Sequence, residues 1–170
     1  GILAWLFGFY RGGIGMALVV SLAMDGIVLV TNLLGAGLPF ILSSLRMDPA
    51  VASSLSNLAL IYRRKGQYAR AEPLYKLSLA IREKALGPNH PDVATALNNL
   101  AELYSAQGQY AQAEPLYKRS LIIWEKALGP DHPDVANGLN NLAALYRATR
   151  RGKQAQELER RALRIEAIKR

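Results

Sequence analysis

At 170 residues and with no cysteine, the chain has room for one ordinary domain or two small parts, and it excludes a disulfide framework and any thiolate metal site. Lys and Arg outnumber Asp and Glu by 21 to 13, giving a net charge of +8, yet residues 1–47 hold only Arg11, Asp25 and Arg46 as charged groups. The mean hydropathy of +0.05 therefore averages an apolar third with a polar two thirds.

The chain begins with Gly, which suggests a product that is processed, trimmed or cut from something longer. Gly1–Tyr10 is apolar but too short to cross a bilayer, which needs about 20 predominantly apolar residues. It reads as the end of an earlier span, with Trp5, Phe9 and Tyr10 beside Arg11 as an interfacial belt. Between Arg11 and Arg46 lie 34 residues whose only charge is Asp25. Ile14 to about Leu34 fits one tilted transmembrane helix, and Leu38–Leu45 extends it past Gly35, Gly37 and Pro39. A buried hydrophobic hairpin is the competing reading. A signal peptide fits less well, because the apolar stretch is too long and lacks a clear small-x-small cleavage site.

From Val51 the pattern turns helical and amphipathic. Leu55, Leu58, Ala59 and Tyr62 recur at i, i+3, i+4, i+7, as do Leu97, Leu100, Ala101, Tyr104 and Leu139, Leu142, Ala143, Tyr146. Six helices are predicted, at about 51–64, 68–85, 93–106, 110–127, 135–149 and 152–168. Turns at Lys65-Gly66-Gln67 and Gln107-Gly108-Gln109 divide them, and Gly-Pro and His-Pro steps stop the second helix of each pair. Ala71-Glu72-Pro73-Leu74-Tyr75-Lys76 returns 42 residues later as Ala113-Glu114-Pro115-Leu116-Tyr117-Lys118, and Leu86–Ala94 returns as Leu128–Ala136. Such self-similarity marks stacked units that share one core and present a surface to a partner.

These residues resemble the tetratricopeptide repeat, a helix–turn–helix unit. Leu55, Leu58, Ala59, Tyr62, Gly66, Ala71, Tyr75 and Ser78 stand where that motif places large, Leu, small, aromatic, Gly, small, aromatic and small residues. The longer period and the Leu-Gly-Pro connector are similar to the kinesin-light-chain subclass, common in bacterial proteins. The resemblance implies an all-α fold: three units, about 51–85, 93–127 and 135–168, in a right-handed superhelix within a domain at 48–170. The third unit departs from the pattern: Arg150 replaces the turn glycine, Gly152 the tyrosine, and Glu157 and Glu159 the Pro and Tyr. A polar terminal helix is what a capping repeat requires, which is the leading reading of the basic C-terminus. An anionic membrane surface is the runner-up, and nucleic acid is not expected as a partner, since no reader motif accompanies the charge.

Residues 14–53 are similar instead to a transmembrane helix of MgtE-type magnesium transporters, chiefly over Asn32 to Ser53. That resemblance implies a transmembrane fragment at 1–47 and a membrane contact through 14–45. The localisation expected is the inner or cytoplasmic membrane, with the repeat domain in the cytoplasm and oligomers possible through the membrane segment. Asp48–Ser53 satisfies both families, as a fusion at that seam requires. Asp25, an acid inside a span, reads first as a helix–helix or interfacial contact and second as a candidate for a cation pathway, and a transporter fragment with a regulatory arm is the alternative function.

In tetratricopeptide units the first helix lines a concave groove. Asn57, Asn99 and Asn141 share one register, preceded by Ser56, Asn98 and Asn140. Asparagine pairs donors with an acceptor, which suits clamping an extended peptide backbone, although one Asn of each pair could instead bond the neighbouring repeat. Arg63, Arg64 and Arg147 lie one turn on and would favour acidic ligands, unless they are ordinary solvated surface. His90 and His132 have no third ligand in the pattern and fit helix-cap chemistry better than metal. With no phosphate loop and no nucleophile–base set, neither catalysis nor a cofactor is expected. The function expected is a membrane-anchored scaffold that docks a peptide or partner protein.

Overall fold

The computed structural model describes residues 48–168. Six helices follow one another: α1 (Pro49–Arg64), α2 (Tyr68–Leu86), α3 (Pro91–Ala106), α4 (Tyr110–Leu128), α5 (Pro133–Ala148) and α6 (Gly152–Ile168). No described residue is in a strand. Helices pair as α1 with α2, α3 with α4 and α5 with α6, and the pairs stack through α2 on α3 and α4 on α5.

Each odd helix opens two residues earlier than the periodicity suggests. Pro49, Pro91 and Pro133 occupy the first helical position, where the fixed proline φ suits the helix and its missing N–H is one that no intrahelical acceptor could use. The residue before each proline is extended and caps the helix. The Asp48 carboxylate accepts from the Ala50 N–H at 2.9 Å, and the Nδ1 atoms of His90 and His132 accept from the Asp92 and Asp134 N–H at 3.1 and 3.2 Å. The two histidines are therefore caps. Among the described residues, no group of three or more His, Cys, Asp and Glu is placed to hold a metal ion.

The turns inside the first two pairs rest on left-handed glycines, Gly66 and Gly108, at φ 70° and 73°. In the third pair Arg150 takes that conformation at φ 60°, the one non-glycine residue with positive φ among the described residues.

Small residues bring the helices close. Ala59, Ala101 and Ala143 on the first helices and Ala71, Ala113 and Ala155 on the second are all fully buried. Tyr75 and Tyr117 fill the space between them, and Val93, Leu97, Leu103, Val135, Leu139 and Leu145 continue one core along the stack. Burying side chains of this size stabilises by about 1.5–3 kcal/mol each. Leu58, expected in the core from its spacing, is instead exposed, because no described helix precedes α1 to cover it.

Among the described residues no helix is long and apolar enough to cross a membrane. The span expected at 14–45, Asp25 and the transporter-like run as far as Met47 lie outside the described residues.

Candidate peptide-binding face

The first helices of successive pairs approach one another, α1 to α3 and α3 to α5, whereas Cα atoms of α2 and α4, or of α4 and α6, nowhere come within 8 Å. The odd helices therefore form the inner, concave wall and the even helices the outer one. On the outer side only long side chains bridge the gap, Arg119 to Glu83 at 2.7 Å and Arg161 to Glu125 at 2.6 Å.

Along the inner wall one asparagine from each register enters a shared network. Asn98 is 8% exposed and donates to Glu102 Oε1 at 2.9 Å. Asn141 donates to Asn98 Oδ1 at 3.1 Å and to Glu102 Oε1 at 3.3 Å. Arg63 closes the same network onto Glu102 Oε2 at 2.8 Å. Arg63, Asn98 and Asn141 thus tie α1, α3 and α5 together through one carboxylate. Asn57 is exposed and Asn99 half-buried, and neither side chain is hydrogen-bonded to a described residue. Asn140 is exposed and reaches Glu166 at 3.4 Å, Arg147 pairs with Glu159 at 2.7 Å, and Arg64 is exposed without an ion-pair partner among the described residues. Residue Glu159 stands where α2 and α4 carry Tyr75 and Tyr117, so its change of identity answers Arg147.

Beneath this wall the tyrosines are held neutral. Burial raises the Tyr117 hydroxyl to about 12, and burial likewise raises Tyr75. At the seams, Tyr104 and Tyr146 donate to Glu72 and Glu114, each at 3.1 Å. Hydrogen bonds from Arg151, and then from Lys118, pull the Glu114 carboxyl down to about 2. Lys76 lowers Glu72 in the same sense.

Arg82 is the buried charge that the sequence does not announce. It is 7% exposed, and its guanidinium donates to Ser53 Oγ at 3.2 Å and Ser56 Oγ at 3.4 Å. The relay continues from Ser56 to Ser78 at 2.8 Å and from Ser78 to the Ala52 carbonyl at 2.8 Å. No described carboxylate lies within 4.0 Å of Arg82. A guanidinium this buried ordinarily has a counter-ion. Here hydroxyls take two of its five N–H groups, and Ser53 is exposed beside it on α1. The one sequence signal is the repeat itself: 42 residues on, the same register holds Trp124, so position 82 has to face inward.

The tetratricopeptide repeat pattern matches residues 50–121 and 94–165, more than half of the chain. The chain belongs to the tetratricopeptide repeat family. Among solved structures it is similar to BtubC (BKLC) from P. vanneervenii, with 30% identity and a TM-score of 0.68, over 74% of this chain and 50% of that one. It is also similar to a Podosopora anserina putative kinesin light chain with nearly identical TPR-like repeats. A point-substituted form of that protein gives 31% identity and a TM-score of 0.63, over 73% of this chain and 58% of that one. A second structure of it gives 30% and 0.62, over 74% and 59%. The tetratricopeptide chain thus spans roughly half to three-fifths of those proteins, and the kinesin-light-chain style inferred from its connectors agrees with these neighbours. No curated protein matches it.

Proposed function

We propose that the repeat array is a protein-interaction scaffold that holds an extended, acidic peptide against its concave wall. The observation that carries this reading is Arg82, a buried cation with no described carboxylate of its own beside an exposed hydroxyl. A ligand carboxylate displacing Ser53 would supply the missing counter-charge in a partly desolvated site, where a charge-assisted bond is strongest. Asn57 and Asn99, whose amides are unengaged among the described residues, would take up the peptide backbone along the same wall. Arg63 and Arg147 contribute less than their charge suggests, because Glu102 and Glu159 already neutralise them. The same proposal places the array at a membrane through residues 14–45, supported by their apolar composition.

Fluorescence anisotropy with matched acidic and neutral peptides tests the groove. Arg82→Gln should weaken the acidic peptide by about tenfold, the worth of one charge-assisted hydrogen bond, with little change in Tm. Equal binding of acidic and neutral peptides, or an Arg82→Gln chain that binds as before, overturns the reading.

A further inference from the structure

A recess opens on the concave wall one repeat beyond Arg82. It lies between α3 and α5, holds about 390 Å³, and is walled by Thr95, Glu102, Trp124, Asp134, Asn137 and Asn140. Thr95 and Trp124 stand 42 residues after Ser53 and Arg82, so this is the same position of the groove in the next repeat. Its electrostatics are reversed. The indole takes the place of the guanidinium, and no described Lys or Arg lines the recess. The two carboxylates in it differ. Glu102 is already occupied, since Arg63 pairs with it at 2.8 Å and Asn98 and Asn141 donate to it. Asp134 is half-exposed, and among the described residues the one basic group within 4.0 Å of its carboxylate is His132, with Nδ1 at 3.6 Å from Oδ2. That nitrogen accepts the Asp134 N–H at 3.2 Å, so it has no proton to offer the carboxylate. The neighbours add acceptors. Thr95 spends its O–H on the Pro91 carbonyl at 3.2 Å, and Asn140 turns its amide nitrogen to Glu166 at 3.4 Å, which leaves both oxygens free to accept.

We infer that this recess receives an arginine side chain of the bound peptide, so that the ligand is dipolar, with an acid on Arg82 and a guanidinium on Asp134. The inference rests on the acidic-peptide reading and adds the second half of the recognition pattern. A guanidinium is always charged and carries five N–H donors and no acceptor, which suits a recess that is rich in acceptors and has one uncompensated carboxylate. Packed helices lie about 8–10 Å apart and an extended chain advances about 3.3 Å per residue, so the two peptide side chains fall about three residues apart. The net charge of +8 opposes an added cation at long range. Tighter binding of an arginine-bearing peptide therefore has to come from a local carboxylate.

Fluorescence anisotropy on the full-length chain compares labelled peptides carrying one Asp and one Arg, two, three or four residues apart and in both orders, with matched peptides in which Gln replaces the Arg. The best Asp–Arg peptide should bind about fivefold tighter than its Gln match, the scale of one partly exposed ion pair, and the advantage should shrink as salt is added. Asp134→Asn should erase the advantage and keep the Arg82-dependent binding of the Gln peptide. Its Tm should change little, because the His132 cap uses only the Asp134 backbone N–H. Asn137→Lys, at an exposed position one turn along α5, supplies Asp134 with a counter-ion and should erase the advantage too. If Asp–Arg and Asp–Gln peptides bind the parent equally while Arg82→Gln weakens both, this inference fails and the acidic-peptide reading stands. If neither peptide binds, both fail. An arginine advantage that survives either variant also overturns the inference.

Discussion

The seam between the first and second repeats and the seam between the second and third pair the same helices, α2 on α3 and α4 on α5, and differ in the residue that fills one shared position. In the first, position 82 is an arginine bonded to serine hydroxyls, and Ala96 stands at the register of Gly138. In the second, the same position is Trp124, which packs with Leu121 over Gly138 so tightly that a Cβ there would stand 3.0 Å from the indole and 2.8 Å from Leu121 Cδ2. The tryptophan and the glycine make a matched pair, large against nothing. Packing there offsets a buried indole N–H that has no partner among the described residues. The lesson is that a repeat register does not dictate chemistry: an identical position holds a hydrogen-bonded guanidinium in one unit and a tightly packed indole in the next.

The contrast can be broken at three points. Trp124→Ala should cost about 3–5 kcal/mol of unfolding free energy, the range for emptying a buried aromatic site. Urea melts would measure it, and a loss below about 1 kcal/mol would mean the second seam is not the cohesive one. Glu114→Gln comes next. It strips a carboxylate of Arg151, Lys118 and Tyr146 together and should cost about 1.5–3 kcal/mol, the scale for hydrogen bonds to a charged group. The group's folded pKa of about 2 lies below its usual 4.5, so its contribution is complete above pH 4.5 and fades as the pH falls toward 2. Melts taken above pH 4.5 and near pH 2 should show that decline in the parent and a shallower one in Glu114→Gln; parallel curves would remove Glu114 as the cause. Smallest is Arg150→Gly, which relieves a left-handed residue and should raise stability by about 1 kcal/mol. An unchanged or lowered Tm would show that Arg150 makes contacts worth keeping.

How much of this is legible in the sequence depends on whether repetition or geometry decides it. The six helices, their pairing and the glycine turns follow from periodicity, and the helix ends agree within two residues. The starts of the odd helices come out late because proline reads as a stop for the preceding helix, although Pro91 and Pro133 also open the next one. Periodicity groups the asparagines but does not sort them. Asn98 and Asn99 are one residue apart, about 100° around a helix, and only the position of α5 decides that Asn98 faces the seam and Asn99 does not. Arg82 sits in a run of charged residues, Arg82-Glu83-Lys84, that looks like a solvated face, and its burial emerges only when α1 is laid across it. The basic C-terminal stretch shrinks in the folded chain too, since Arg147, Arg151 and Arg161 each hold a glutamate.

Glu102 gives the array a form of cooperativity that a chain of nearest neighbours lacks. Repeat proteins usually unfold as a sum of units coupled only to adjacent ones. Here one carboxylate of the middle repeat receives Arg63 from the first and Asn141 from the third. If either end frays, the middle repeat keeps a partly desolvated acid with fewer donors, which weakens its hold on the other end. Terminal repeats that share no seam with each other therefore lend each other stability through a single side chain.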